Sequence, residues 1–104
     1  MEIIKTKEGS KMTIALEGRL DTTTAPSLDA VVGSELGDVT ELVYDFNKLE
    51  YVSSAGLRVL LLSQKTMNAK GGTMVIRNVN SDIMEVFEMT GFSSVLTIEE
   101  KEES

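Results

Sequence analysis

The sequence predicts an α/β fold, with a small, single-layer, mainly parallel β-sheet that begins with an antiparallel hairpin and carries packed helices. Three observations predict it. Short apolar or alternating segments, typical of strands, are followed by segments with apolar residues every three or four positions, typical of helices. Two strand segments precede the first helical one, separated by the turn signal Glu8-Gly9-Ser10. The strand–helix–strand order that follows favours parallel strands joined by right-handed crossovers.

The strand segments are short and apolar on at least one side. Met12, Ile14 and Leu16 alternate with more polar residues, as a strand with one buried face requires. Five strands are predicted, and they cover residues 2–6, 12–17, 41–46, 73–77 and 96–98. The first two of them form the hairpin.

Three helices are predicted between these strands. The first begins near Thr24 and Pro26, because proline lacks the N–H that would be unpaired in a first turn, and it ends near Gly37. The second covers residues 54–70, with an apolar stripe of Leu57, Leu60 and Leu61 widened by Val59 and Leu62. The third is capped by Asn80 or Ser81 and closes at Thr90-Gly91-Phe92.

The length of 104 residues predicts one domain, over residues 1–98, followed by an acidic tail over residues 99–104. The net charge is −7, of which the tail carries −3. An acidic chain argues against a nucleic-acid partner, because binding to phosphate backbones needs a basic face.

The lengths of the apolar runs also bear on where in the cell the protein is expected. The longest, Val59–Leu62, is far shorter than the roughly 20 residues that span a bilayer, so no membrane segment is expected. The sequence does not open like a signal peptide, and it contains no cysteine. A cytoplasmic protein is therefore expected.

The inventory of chemically active side chains is small. No histidine is present, which removes the usual general base near neutral pH and a common metal ligand. The sequence contains neither of the glycine-rich motifs that cradle nucleotide phosphates. We expect a binding protein that is not an enzyme and carries no cofactor or metal.

The stretch Tyr51–Leu62 holds the strongest candidate site. A strand ends there, and two serines, Ser53 and Ser54, precede an apolar helix. The start of a helix presents unpaired N–H groups and the positive end of the helix dipole, which favour an anion such as a phosphate on serine. One serine serves as the N-cap in the simplest interpretation, and if Ser53 does so, Ser54 keeps a free hydroxyl.

Arg58 stands four residues after Ser54, which is one helical turn. An arginine there is within reach of a phosphate on Ser54. The alternative is an ordinary solvent-facing arginine.

The chain resembles the anti-sigma factor antagonists, which are bacterial members of the STAS-domain family. The resemblance covers roughly residues 3–98 and rests on segments that occur in the family's order: Gly18-Arg19-Leu20-Asp21, Thr24-Ala25-Pro26, 42–46, 51–57, Gly71-Gly72 and 87–92.

The resemblance implies a phosphorylation switch. In the family, a serine two positions before the motif glycine, here Ser54 before Gly56, is phosphorylated by a partner that is both an anti-sigma factor and a serine kinase. The preceding residue is often aspartate in the family but is Ser53 here, which leaves Ser53 as a rival site. Asp21 matches a loop acid that contacts the kinase.

The partner-binding set that follows comprises Asp21, Thr23, Ser53, Ser54, Gly56 and Arg58. The resemblance further implies that the unphosphorylated protein sequesters the kinase and so releases a sigma factor, and that a serine phosphatase resets the switch. The alternative is a constitutive adaptor or scaffold subunit of a signalling or lipid-transport complex, in which both serines only cap the helix.

Overall fold

The computed structural model of the chain describes residues 1–99 and has the predicted α/β architecture. The order of elements is β1 (Glu2–Glu8), β2 (Lys11–Leu20), α1 (Ala25–Glu35), β3 (Glu41–Val52), α2 (Ser54–Ala69), β4 (Thr73–Arg77) and α3 (Ser81–Thr90), followed by a 3₁₀ turn at Phe92–Ser94. None of the helices in these residues is long and apolar enough to cross a membrane.

The four strands form one sheet in the order β1-β2-β3-β4. The β1–β2 pair is antiparallel, and the β2–β3 and β3–β4 pairs are parallel, which confirms the predicted hairpin and mainly parallel sheet. The predicted last strand, 96–98, is reduced to one bridge between Ile98 and Ile76.

A single hydrophobic core joins one side of the sheet to the helices. Alternate residues of β2, namely Met12, Ile14 and Leu16, are buried together with the stripe of α1. That stripe consists of Leu28, Val31 and Val32, and it is continued by Leu36 directly after the helix. The alternation read from the sequence therefore identifies the buried side of β2 correctly.

Helix α2 departs from the prediction on its outer side. Leu57 and Leu60 are buried as predicted, but Leu62 is 43% exposed, so its inclusion in the buried stripe is wrong. The reason is its angular position, because residue 62 lies about 160° around the helix from residue 60 at 100° per residue. An exposed leucine therefore lies on the outer side of α2.

The proposed boundary between domain and tail stays a prediction. Glu99, the first residue assigned to the tail, donates its N–H to the Ile76 carbonyl at 2.9 Å and pairs with Arg77 at 2.9 Å. The rest of the predicted tail, residues 100–104, lies outside the described residues.

Candidate functional site

The candidate site lies where β2 and β3 end side by side. Leu20 and Val52, the last residues of these strands, are paired in the parallel register. The N–H of Ser53 extends this pairing by donating to the Leu20 carbonyl at 2.9 Å. Asp21 and Ser53, which directly follow the two strands, therefore lie at the same edge of the sheet, as expected for the carboxyl ends of parallel strands.

The two serines have different environments. Ser53 is the N-cap of α2, with an extended backbone and a side-chain oxygen that accepts from the Gly56 N–H at 3.4 Å. Ser54 is the first helical residue and is exposed, and its hydroxyl makes no hydrogen bond within residues 1–99. The hydroxyl available for chemistry at this helix start is therefore that of Ser54.

Gly56 lets the start of α2 approach the end of β2. A Cβ atom at this position would lie 2.6 Å from the Leu20 Cγ and 3.0 Å from the Leu20 carbonyl oxygen. Both distances are too short for a side chain, and Gly56 is itself buried. The glycine therefore serves packing, and its influence on a partner is exerted through the position of the two serines.

The loop after β2 is organised by the Asp21 carboxylate. One of its oxygens accepts hydrogen bonds from the Thr23 hydroxyl at 2.7 Å, the Thr23 N–H at 3.0 Å and the Thr24 N–H at 3.2 Å. The hydrogen bond from the Thr23 side chain, followed by the weaker ones, holds the pKa of Asp21 below its usual value. Asp21 is therefore ionised at neutral pH and fixes the loop that precedes α1.

Thr24 begins α1 as predicted, but it does not cap the helix with its own side chain. Its hydroxyl instead donates to the Arg19 carbonyl at 2.8 Å and accepts from the Asp21 N–H at 2.8 Å. The sequence pattern located the helix start, and the group that accepts from the first helical N–H, that of Ala25, is the backbone carbonyl of Asp21 at 2.8 Å.

Arg19 and Tyr51 form a pair that no local sequence pattern predicts. The guanidinium lies 4.3 Å from the centre of the Tyr51 ring, and its Nε is 3.9 Å from an Asp21 oxygen. The strand register, which places these two residues opposite each other, is the signal that reveals the pair. Such an arrangement orders an exposed arginine beside the Asp21 loop.

Arg58 is exposed on the first turns of α2, one turn beyond Ser54. It lines a groove between α1 and α2 whose volume is about 560 Å³. Thr22 and Ala55 line the same groove, so it extends to the loop that carries Asp21 and to the residue beside Ser54.

The structure thus brings the predicted residues together at one edge of the sheet. Asp21 and Thr23 are in the loop after β2, Ser53 and Ser54 begin α2, and Arg58 lies one turn on. Within residues 1–99, no group of three or more acidic side chains is arranged to hold a metal ion. The chemistry that the edge offers is an exposed hydroxyl at a helix start, near a carboxylate and an arginine.

A sequence model of the STAS domain matches residues 2–104 of the chain. Among named proteins, the chain is 30% identical over 105 residues to BtrV of Bordetella bronchiseptica, whose name describes it as an anti-sigma factor antagonist. That similarity covers 100% of this chain and 90% of BtrV.

Solved structures give the same fold. The anti-sigma factor antagonist SpoIIAA in its unphosphorylated form matches with a TM-score of 0.77 and 19% identity, over 97% of this chain and 90% of that one. The Bacillus cell fate determinant SpoIIAA in its phosphorylated form matches with a TM-score of 0.76 and 20% identity, over 95% and 92% of the two chains.

Proposed function

This chain belongs to the STAS-domain family, and on that basis we propose that it is an anti-sigma factor antagonist controlled by phosphorylation of Ser54. The unphosphorylated protein binds an anti-sigma factor that has serine kinase activity, and so frees a sigma factor. The partner supplies ATP and phosphorylates Ser54, which ends the complex, and a separate serine phosphatase restores the binding form. Both partners act in the cytoplasm, where transcription takes place.

One observation carries this proposal. Of two adjacent serines at the start of α2, Ser53 accepts from the Gly56 N–H, while Ser54 is exposed and its hydroxyl makes no hydrogen bond to any of residues 1–99. A kinase needs a hydroxyl that it can reach without unfolding the helix. Ser54 meets that requirement, and Ser53 would have to give up its capping bond.

The start of α2 also suits a phosphate. The first turn of α2 carries no acidic residue, so a phosphate on Ser54 would meet the positive end of the helix dipole without a competing negative charge. Arg58, one turn on, can pair with it. These features favour the phosphorylated form of the free protein and require little change of fold.

The energy that a switch needs sets where Ser54 must lie in the complex. Changing the ratio of bound to free protein from 99:1 to 1:99 takes about 5.5 kcal/mol. A charge at an exposed rim contributes under about 1 kcal/mol, which is too little. A phosphate of about −1.5 to −2 charge enclosed in an interface costs several kcal/mol in desolvation. We therefore place Ser54 near the centre of the contact.

The names of similar proteins support the proposed class of function. BtrV and SpoIIAA are named as anti-sigma factor antagonists, and SpoIIAA exists in both unphosphorylated and phosphorylated forms. The alternative, a constitutive adaptor in which both serines only cap α2, predicts no phosphorylation at all.

The experiment that separates the two is an intact-mass measurement. The protein is incubated with Mg-ATP and each purified anti-sigma factor kinase of the source organism, beside Ser53→Ala and Ser54→Ala as matched variants. We expect a gain of one phosphate in the wild type and in Ser53→Ala, and none in Ser54→Ala.

A loss of phosphorylation in Ser53→Ala with retention in Ser54→Ala would move the site to Ser53. The absence of phosphorylation with every kinase would favour the adaptor. Ser54→Ala should still bind the kinase, whereas Ser54→Asp should bind more weakly.

A further inference from the structure

The groove between α1 and α2 has an apolar floor and a basic wall. Ala25 and Pro26 of α1 face Ala55, Val59 and Leu62 of α2 across it, with Leu62 43% exposed. Its volume of about 560 Å³ is within the range of binding pockets, and it is open to solvent. The groove is therefore large enough to seat side chains of another molecule.

The cations in the groove stand out from those elsewhere in the chain. Residues 1–99 contain nine lysines and arginines, and five of them lie within 4.0 Å of a carboxylate: Lys5, Lys7, Arg19, Lys48 and Arg77. Lys70 instead donates to the carbonyls of Leu36 and Gly37. In this part of the chain the remaining three are Lys11, Arg58 and Lys65, and two of them line the groove.

The spacing of these cations defines the shape of an occupant. Arg58, Leu62 and Lys65 lie at i, i+4 and i+7, so they share one face of α2. The two cations are about 10.5 Å apart along the helix axis, with the exposed leucine between them. An amphipathic helix with acidic residues two turns apart and apolar residues between them matches this wall in both spacing and charge.

Asp29 on the α1 wall fixes the orientation of such an occupant. Asp29 lines the groove, and among residues 1–99 its carboxylate is not within 4.0 Å of either Arg58 or Lys65. The acidic flank of a docked helix must therefore face α2, away from Asp29.

We propose that the α1–α2 groove docks an acidic amphipathic helix of the anti-sigma factor partner. The identity of the partner rests on the proposed function, whereas the chemistry of its helix follows from the groove alone. The groove reaches Thr22 and Ala55, beside the Asp21 loop and Ser54, so a helix seated in it places its parent protein against the phosphorylation site.

The same geometry links docking to phosphorylation. A phosphate on Ser54 pairs with Arg58 and so neutralises one of the two cations that the helix uses. It also repels an acidic side chain at the mouth of the groove. Phosphorylation therefore weakens docking both through the enclosed charge at Ser54 and by occupying Arg58.

The test uses a designed probe in place of the partner. The probe is a stapled helical peptide of about four turns, with two glutamates seven positions apart and leucines between them. A second peptide carries lysines in place of the glutamates. Each is titrated to about 1 mM into the ¹⁵N-labelled full-length protein, and amide shifts give the site and the Kd.

We expect shifts of the groove residues with the glutamate peptide and at least about 10-fold weaker binding of the lysine peptide. Lys65→Glu should weaken binding of the glutamate peptide at least about 10-fold. Lys11→Glu makes the same charge change at the start of β2 and should alter the affinity for the glutamate peptide less than about 2-fold. Phosphoserine at position 54 should weaken binding of the glutamate peptide, as Arg58→Ala should.

Three results would overturn the proposal: no shift of groove residues with the glutamate peptide, equal binding of the two peptides, or equal effects of Lys65→Glu and Lys11→Glu. Concentration-dependent shifts of the groove residues without peptide would also overturn it, because a second copy would then be the occupant. None of these results bears on whether a kinase modifies Ser54, so failure here is distinct from failure of the proposed function.

Discussion

At the scale of single residues, two neighbouring serines have different roles because only one of them faces the helix backbone. Ser53 is extended and caps α2, while Ser54 is helical and exposed. Two adjacent residues of the same type therefore differ in role: the hydroxyl of Ser53 caps the helix, and that of Ser54 is accessible to a kinase.

This difference predicts unequal effects on stability. Ser53→Ala should lower the free energy of unfolding by about 0.5–1 kcal/mol, since the cap bond of 3.4 Å is long. Ser54→Ala should change it by less than about 0.5 kcal/mol, as for exposed positions without a special contact. Urea unfolding measures both values. A larger loss for Ser54→Ala than for Ser53→Ala would mean that the capping roles are reversed.

Asp21 provides a second prediction at this scale, through pH. The hydrogen bonds from Thr23 lower the pKa of Asp21 in the folded state. Its contribution to stability is therefore present above the unfolded pKa of about 3.9 and is lost as the pH falls through the lower folded value. Thr23→Val should raise the pKa of Asp21, as measured by carboxyl ¹³C NMR titration.

The matched control is Thr22→Val, because Thr22 makes no hydrogen bond to Asp21 in the described part of the chain. An Asp21 pKa that is the same in Thr23→Val and in the wild type would show that the threonine does not stabilise the carboxylate.

The residues of the candidate site are only partly predictable from the sequence. The serines and Arg58 were found because a helix-start pattern and a spacing of four residues are local signals. The Arg19–Tyr51 pair has no such signal, because it depends on the register between two strands and joins residues that stand more than thirty positions apart. Contacts of this kind become visible only when the pairing is known.

At the scale of elements, the position of α2 depends on its contact with the end of β2. Gly56→Ala should lower the free energy of unfolding by about 1–3 kcal/mol, because its Cβ would lie 2.6 Å from the Leu20 Cγ. The loss should be smaller but not absent in a Leu20→Ala background, because the Cγ atom is then removed while the carbonyl oxygen at 3.0 Å remains. Urea unfolding of the four proteins in this cycle gives the coupling energy.

Gly33 offers the matched control, since it lies within α1 with open space around its Cα. Gly33→Ala should stabilise the protein by about 0.5–1 kcal/mol through helix propensity. If Gly56→Ala also stabilised the protein, the close approach of α2 to Leu20 would not constrain the site.

The elements were largely predictable because their signals are local. Helix α3 is capped by Asn80, whose side chain accepts from the Ile83 N–H at 2.8 Å, and it closes at Gly91 with a left-handed backbone. The sequence predicts a strand only over residues 41–46, whereas β3 runs unbroken over Glu41–Val52. Its second half pairs with β2 across two register shifts, a tertiary feature that no periodicity reports.

At the scale of the whole molecule, charge is unevenly distributed. The chain has a net charge of −7, yet the groove beside the candidate site presents two cations on one helix face. Composition alone could not reveal this, because it requires knowing which cations are already paired. The basic wall distinguishes the surface near Ser54 from the generally acidic exterior, and an acidic partner would be guided towards it.

The central claim is that one phosphate on Ser54 switches the affinity for an anti-sigma factor kinase. The most direct test is the Kd of the complex, measured by calorimetry for the unmodified protein and for protein with phosphoserine incorporated at position 54. We predict that the phosphate weakens binding by roughly three to four orders of magnitude, as the switching energy requires. A weakening of less than about 10-fold would contradict the claim, because Ser54 would then lie at the rim of the contact or outside it.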